Sequence, residues 1–295
     1  SANFTQTITV EDNTAPVIST LAGALDVTIE CSDASGIVSA LLMEPTATDN
    51  CSEVVTINLV SDVTTADETC ANGFVRVRTW NFTDDCNNTS ANFVQTITVI
   101  DNTAPVISTL AGALDATVEC SDETGISNAL LLVPTATDNC SEVLTMNLVS
   151  DVTTPDATCE NGYVRVRTWN FTDDCGNVSA DFIQTITVID NTAPVISTIA
   201  GSLDVTLECS DAAGIADALA LVPTATDNCS EVVTMNLVSD VTTPDATCIN
   251  GYVRVRTWNF TDDCDNVSAN FIQTITVEDN TAPVITAPAP INIVC

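Results

Sequence analysis

The chain has 295 residues, and its 40 acidic residues face only six arginines, with neither lysine nor histidine, for a net charge of -34. Nucleic acid and anionic membrane surfaces are excluded as partners, because both are bound through clustered cations. Without histidine or lysine, and with cysteines expected to be paired, the usual catalytic bases and nucleophiles are missing, so we predict no enzyme activity. No apolar run approaches the roughly 20 residues that a membrane-spanning helix needs.

The chain is an internal repeat. The phrase Asp-Asn-Thr-Ala-Pro-Val-Ile begins at Asp12, Asp101, Asp190 and Asp279, each 89 residues after the last. A fixed period of this kind indicates an array of modules. We predict a segment of a longer protein, divided into residues 1–11 (the last strand of a preceding repeat), 12–100, 101–189 and 190–278 (three complete repeats), and 279–295 (the start of a following repeat).

Each repeat is predicted to consist of strands. Apolar and polar residues alternate with a period of two, β-branched residues are frequent, and turn-forming clusters separate the runs. In the first repeat, strands are predicted from Pro16 onward and at 25–30, 54–59, 74–82 and 93–100. Segment 36–42 fits either a strand or one helical turn.

Seven short strands in about 90 residues favour an immunoglobulin-like sandwich. The predicted fold class is therefore all-β, with tandem immunoglobulin-like β-sandwich domains placed end to end. Proline fixes φ just past each linker, at Pro16, Pro105, Pro194 and Pro283, so short rigid linkers are expected.

The cysteines indicate an oxidising, extracellular setting. Of 13 cysteines, four fall in each repeat and Cys295 is left over. An even number per small domain favours disulfides over free thiols. Structural zinc is the alternative, but the cysteines are isolated from one another and no histidine accompanies them, which fits zinc poorly.

Three disulfide connectivities are possible within a repeat. If every segment, including 36–42, is a strand that reverses direction, Cys31 and Cys86 lie at the N-terminal end of the repeat, and Cys51 and Cys70 lie at the opposite end. The predicted pairs are Cys31–Cys86, Cys51–Cys70, Cys120–Cys175, Cys140–Cys159, Cys209–Cys264 and Cys229–Cys248.

The same arrangement gathers acidic and amide side chains where one repeat meets the next. Carboxylate and amide oxygens are the ligands that Ca²⁺ prefers. The alternative is that these residues only form turns. Asp49 is placed at the far end of the repeat. The predicted calcium ligands are Asp12, Asn13, Asp84, Asp85, Asp101, Asn102, Asp173, Asp174, Asp190, Asn191, Asp262 and Asp263.

All six arginines occur in pairs, two residues apart on one strand of each repeat, close to a tryptophan. One interpretation is a structural ladder of arginine and tryptophan that pairs with acids and covers the sheet. The other is a ligand-binding stripe, because both residue types are common binding anchors. The candidate binding residues are Arg76, Arg78, Trp80, Arg165, Arg167, Trp169, Arg254, Arg256 and Trp258.

The run Trp169 to Asn177, followed by Gln184 to Val188 and Asp190 to Pro194, resembles HYR-like (hyalin-repeat) domains. Pro134 to Ser141 matches the same pattern. The four-cysteine version resembles that of very large surface proteins and adhesins of Bacteroidetes. The resemblance implies an immunoglobulin-like sandwich in a secreted, repetitive surface protein, often exported by the type IX route.

The resemblance also has one departure. The Cys-Gly-Asn of the family is Cys86-Asn87-Asn88 in the first repeat and Cys264-Asp265-Asn266 in the third. Asn and Asp are the closest substitutes for Gly in a left-handed conformation, so the turn is expected to persist.

These observations predict a structural stalk segment of an extracellular surface fibre or adhesin that projects a distal tip. Disulfides, and calcium at the junctions, would stiffen it. Two alternatives remain open: the repeats themselves bind glycans or surfaces, or they self-assemble into a filament. The expected partners are neighbouring repeats, with surface glycans or other fibre copies under the alternatives.

Overall fold

The computed structural model describes residues 1–289 and residue 291, so Cys295 lies outside the described residues. The chain forms two compact units. The first comprises Ser1–Leu114, Val133–Asp151 and Arg167–Gln184. The second comprises Asp115–Leu132, Val152–Val166 and Thr185–Cys295. The division falls inside the second repeat rather than at a linker, and the repeat boundaries given above stay a prediction.

The described residues of each repeat form six strands and one helix in the same order. The first repeat contains β1 (Val17–Ile18), β2 (Val27–Glu30), α1 (Ala34–Leu41), β3 (Ala47–Thr48), β4 (Thr56–Ala66), β5 (Phe74–Thr83) and β6 (Phe93–Ile100). The second contains β7 (Val106–Ile107), β8 (Ala116–Glu119), α2 (Glu123–Leu131), β9 (Ala136–Thr137), β10 (Thr145–Pro155), β11 (Tyr163–Thr172) and β12 (Phe182–Ile189). The third contains β13 (Val195–Ile196), β14 (Val205–Glu208), α3 (Ala212–Ala220), β15 (Ala225–Thr226), β16 (Thr234–Pro244), β17 (Tyr252–Thr261) and β18 (Phe271–Glu278).

Each repeat has a four-stranded and a two-stranded sheet. In the first repeat the larger sheet has the order β2-β6-β5-β4, and β1 pairs with β3. The second and third repeats have the same order with their own strands. Strand β2 is parallel to β6, whereas β6, β5 and β4 are successively antiparallel. The predicted class, all-β with tandem sandwich-like domains, is confirmed.

Segment 36–42 belongs to a helix and is not a strand. Asp33 caps α1 by accepting hydrogen bonds from the Gly36 backbone N–H at 2.8 Å and the Ser35 hydroxyl at 2.7 Å. An aspartate in this position satisfies backbone donors that the first turn leaves free. The helix places Ala40 against Ile97 and Val99 of β6, which form the buried core. The predicted alternation of strand direction is therefore wrong at this point.

The helix determines at which end of the repeat each cysteine lies. We call the end where the linker enters proximal and the end where β6 leaves distal. Cys31 follows β2, which ends beside the end of β6, and its N–H donates to the Ile100 carbonyl at 2.8 Å. Cys70 follows β4, which runs in the same direction as β6. Both cysteines are therefore distal. Cys51 precedes β4 and Cys86 follows β5, so both are proximal.

The arginine–tryptophan pairs are internal. Trp80 is 2 % exposed, and the Arg78 guanidinium lies over its ring, 4.5 Å from the ring centroid. Arg78 also donates to the Leu41 carbonyl at 2.8 Å, which ties the helix end to the sheet. Arg76 forms two hydrogen bonds with Asp62, at 2.6 and 2.7 Å.

The tryptophans of the other two repeats are buried in the same way, each beneath an arginine. A ligand cannot reach a ring that is this deeply buried, so the binding interpretation of the stripe is wrong for Arg78, Trp80 and their copies Arg167, Trp169, Arg256 and Trp258. The structural interpretation describes them instead.

The turn after β5 keeps a left-handed conformation in all three repeats. Its central residue has φ of 70° at Asn87, 87° at Gly176 and 67° at Asp265. Asn and Asp tolerate this region better than other side chains do. The expectation that the turn survives the loss of glycine is confirmed.

Candidate functional site

The junctions between repeats carry the disulfides. Cys31 bonds to Cys140 and Cys70 bonds to Cys175, which joins the distal end of the first repeat to the proximal end of the second. The second and third repeats are joined in the same way by Cys120–Cys229 and Cys159–Cys264. The paired Cα atoms lie 6.0 Å apart at Cys31–Cys140 and 6.1 Å apart at Cys120–Cys229.

The predicted pairing within repeats is wrong. The pairs Cys31–Cys86, Cys51–Cys70, Cys120–Cys175, Cys140–Cys159, Cys209–Cys264 and Cys229–Cys248 each join a distal cysteine to a proximal one of the same repeat. Because α1 replaces a strand, the two members lie at opposite ends of the sheet. A disulfide needs Cα atoms within about 7 Å of each other. The adjacent repeat supplies the partner at that distance.

Four cysteines are not in disulfides among the described residues: Cys51, Cys86, Cys209 and Cys248. The first two are proximal and have the same positions in the first repeat as Cys140 and Cys175 in the second. The last two are distal and correspond to Cys31 and Cys70. A junction needs two distal cysteines of one repeat and two proximal cysteines of the next. Cys51 and Cys86 supply the proximal pair only, and Cys209 and Cys248 supply the distal pair only.

Hydrogen bonds repeat at both junctions. In the first, the Asp174 carboxylate accepts from the Ala71 backbone N–H at 2.8 Å and from the Ser141 hydroxyl. These hydrogen bonds lower the pKa of Asp174, the serine contributing most. In the second junction, Asp263 accepts from the Glu160 N–H and from Ser230. One oxygen of each of these aspartates therefore holds the preceding repeat, and the other accepts a serine hydroxyl of the aspartate's own repeat.

The linker is fixed from both sides. Glu30, at the end of β2, accepts hydrogen bonds from the Asn102 backbone N–H at 3.1 Å and the Thr103 hydroxyl at 2.9 Å. On the other side, the Asn177 amide donates to the Asp101 carbonyl at 3.1 Å and to the Asp173 carboxylate at 2.9 Å. The linker residues thus bond to the repeat before them and to the repeat they introduce.

Three aspartates of each repeat converge at its proximal end. One comes from the linker, one follows the third strand of the repeat, and one follows its fifth strand. We call these sets the aspartate triads, namely Asp12/Asp49/Asp84, Asp101/Asp138/Asp173 and Asp190/Asp227/Asp262. One oxygen from each member of the first triad lies within 4.8 Å of the other two.

Burial and like charge perturb the linker aspartates. Burial raises the pKa of Asp190 to about 6, and the charges of Asp227 and Asp262 act in the same direction. The pKa of Asp101 is raised by the same causes, burial first and then Asp138 and Asp173.

Sequence reasoning brought Asp12, Asp101 and Asp190 close to Asp84, Asp173 and Asp262, and the structure does the same. The placement of Asp49 at the far end was wrong, because β3 runs back to the proximal end, antiparallel to β1. Asp49, Asp138 and Asp227 were thereby left out of the ligand set. The sequence does contain a signal for these three aspartates. Each begins the motif Asp-Asn-Cys-Ser, which recurs in every repeat and contains a proximal cysteine.

The sequence profile of the HYR-like domain with four cysteines matches the chain three times, over residues 20–99, 109–188 and 198–277. The chain belongs to this family. Hyalin of Strongylocentrotus purpuratus is 30 % identical over 97 % of this chain, and the match covers 23 % of that protein. Hyalin of Lytechinus variegatus is 29 % identical over 97 % of this chain and 51 % of that protein. This HYR-like chain therefore spans about a quarter to a half of these curated relatives.

Among solved structures, the HYR-like chain is similar to Drosophila N-cadherin EC1-4 at 12 % identity and a TM-score of 0.28, covering 80 % of this chain and 69 % of that one. It is similar to the protocadherin gamma B2 extracellular domains at 12 % identity and a TM-score of 0.30, covering 90 % and 60 %. Scores this low do not define a common overall fold. Among the described residues, no helix is long and apolar enough to cross a membrane.

Proposed function

We propose that this HYR-like array is a structural stalk segment of an extracellular, adhesion-related surface protein. The observation that carries the proposal is the pair of disulfides at each junction. Each pair spans the end of the domain at two positions, so the adjoining repeats are held against both bending and separation. Modules linked only by a flexible tether need no such bonds.

The composition is consistent with this role. Disulfides persist in oxidising compartments, which supports a secreted or cell-surface location. The net charge of -34 keeps such an array dispersed in solution. The resemblance described above associates four-cysteine repeats with large surface proteins of Bacteroidetes, and the two curated relatives are hyalins. The proposed role concerns the repeats themselves and applies in either setting.

The runner-up function is recognition by the repeats. Its most specific support was the arginine–tryptophan stripe, which is largely buried, so the Thr-rich strand faces are the remaining candidate surface. In the stalk proposal, the tip of the longer protein binds the target and these repeats hold it away from the cell. Neither function assigns a catalytic role to the chain.

A binding experiment separates the two. The oxidised three-repeat chain and a tandem fusion of two such chains are tested against glycan arrays, matrix proteins and cells. The stalk proposal predicts no saturable binding by either protein. Binding whose avidity rises from three repeats to six would contradict the stalk proposal and support the runner-up. Sedimentation of the same samples, at low salt and with calcium, tests filament formation.

A further inference from the structure

The aspartate triads use their two carboxylate oxygens differently. In the third triad, one oxygen of each residue accepts backbone N–H groups: Asp190 from Thr192 at 3.0 Å, Asp227 from Cys229 at 2.8 Å, and Asp262 from Cys264 at 2.9 Å. These bonds shape the three turns and fix the direction of the carboxylates. The other oxygen, Oδ2, is buried in all three residues and accepts no hydrogen bond from the described part of the chain.

This arrangement leaves buried negative charge without a counter-charge. Asp190 and Asp262 are each only 6 % exposed. The arginines, the only cationic side chains in the sequence, lie on the central strands β5, β11 and β17. An unpaired charged group out of water is destabilising.

The donor atoms define the class of ion. The nearby cysteines cannot offer thiolates, since Cys120, Cys229 and Cys264 are in disulfides. Carboxylate oxygens alone favour a hard cation over zinc or copper. Glu119 of the preceding repeat brings an oxygen within 4.8 Å of an Asp190 oxygen, so a fourth carboxylate faces the junction site. Ca²⁺ accepts such irregular oxygen sets, with waters completing its six to eight ligands, whereas Mg²⁺ demands a near-ideal octahedron.

We propose that each aspartate triad binds one calcium ion through its carboxylate oxygens. The Oδ2 atoms of Asp12, Asp49 and Asp138 are buried without a hydrogen-bond partner among the described residues, as in the third triad, whereas those of Asp84, Asp101 and Asp173 also accept one side-chain hydrogen bond each. Glu30 and Glu119 contribute at the two internal junctions, where each lies beside the linker aspartate. The ligand set differs from the one predicted from sequence. Asp49, Asp138, Asp227, Glu30 and Glu119 join it, whereas Asp85, Asp174, Asp263, Asn13, Asn102 and Asn191 leave it. In Asp174 and Asp263, one oxygen accepts a backbone N–H of the preceding repeat and the other accepts a serine hydroxyl of its own repeat. Calcium would stiffen the proposed stalk, but the site does not depend on that function.

The test uses the complete, disulfide-intact chain after dialysis against EDTA. The triple variant Asp49→Asn, Asp138→Asn, Asp227→Asn removes one ligand from each triad and keeps an oxygen that can accept the backbone N–H groups. Glu53→Gln, Glu142→Gln, Glu231→Gln is the matched control, because it removes the same charge from exposed positions outside the triads. Calcium binding is measured by isothermal titration calorimetry, and Tm is measured in EDTA and in millimolar CaCl₂ or MgCl₂ at constant ionic strength.

We expect the wild-type chain and the control to bind three calcium ions and to gain several degrees in Tm in calcium, with a smaller gain in magnesium. The triple variant should lose the gain. In EDTA it should melt at or above the wild-type temperature, because it has less repulsion to overcome. Absence of saturable binding to the wild type, or an equal calcium shift in the triple variant, would overturn the site. A chain that binds no calcium can still be a stalk, so the two proposals fail separately.

Discussion

Stretched from its two ends without reductant, the chain should stop extending at less than a third of its full length. The shortest covalent path from end to end runs through residues 1–31, crosses to 140–159, and crosses again to 264–295. At about 3.5 Å per extended residue, that path is about 30 nm long, against about 100 nm for the whole chain. Single-molecule force spectroscopy with handles at residues 1 and 295 measures this limit.

Disulfides within repeats would give a different maximum extension in the same experiment. With disulfides within repeats, the shortest path would include residues 1–31, 86–120, 175–209 and 264–295, and the limit would be about 45 nm. Reductant should release the full length under either pairing. A variant with Ser at Cys51, Cys86, Cys209 and Cys248 is the control, and it should stop at the wild-type length. A limit near 45 nm, or near the full length without reductant, would contradict the disulfides between repeats.

Removing both disulfides of the first junction should cause a large loss of stability. The variant Cys31→Ser, Cys70→Ser, Cys140→Ser, Cys175→Ser opens loops whose ends are 109 and 105 residues apart. Closing loops of this size restricts the unfolded chain, and each bond contributes roughly 2–4 kcal/mol. We expect a combined loss of about 4–8 kcal/mol in the free energy of unfolding, measured by guanidinium denaturation without reductant.

The matched variant Cys51→Ser, Cys86→Ser separates this effect from the loss of cysteines as such. These two residues are not in disulfides, so the free energy of unfolding should change by less than about 0.5 kcal/mol. Under the pairing within repeats, this variant would instead break both disulfides of the first repeat. A loss of about 4 kcal/mol or more in the variant Cys51→Ser, Cys86→Ser would therefore refute the junction assignment.

The strand pattern was readable from sequence because burial alternates along the central strands. In β6 the inward residues Phe93, Gln95, Ile97 and Val99 are all buried, and their outward neighbours are more exposed. The 89-residue period showed that the same structural elements recur in each repeat. Together these signals were sufficient to predict the fold class and to predict that Asp101 lies close to Asp173.

The disulfides were predicted wrongly because the segment that forms α1 was counted as a strand, which reverses the direction assigned to β2. Asp33, Gly36 and Ala40 give a capped helix rather than a strand, and β2 therefore joins the sheet parallel to β6. Cys31 is thereby moved from one end of the repeat to the other. A repeat also offers each cysteine equivalent partners in the next copy. Spacing within one repeat cannot distinguish a bond to its own copy from a bond to a neighbour.

The most direct test of the account is a map of the disulfides in the secreted, thiol-blocked protein, by digestion without reduction and mass spectrometry. The copies differ enough in sequence for each linked peptide pair to be assigned. We predict peptides joined through Cys31–Cys140, Cys70–Cys175, Cys120–Cys229 and Cys159–Cys264. Peptides joined through Cys31–Cys86 and Cys51–Cys70, or alkylated thiols at the junction cysteines, would contradict it.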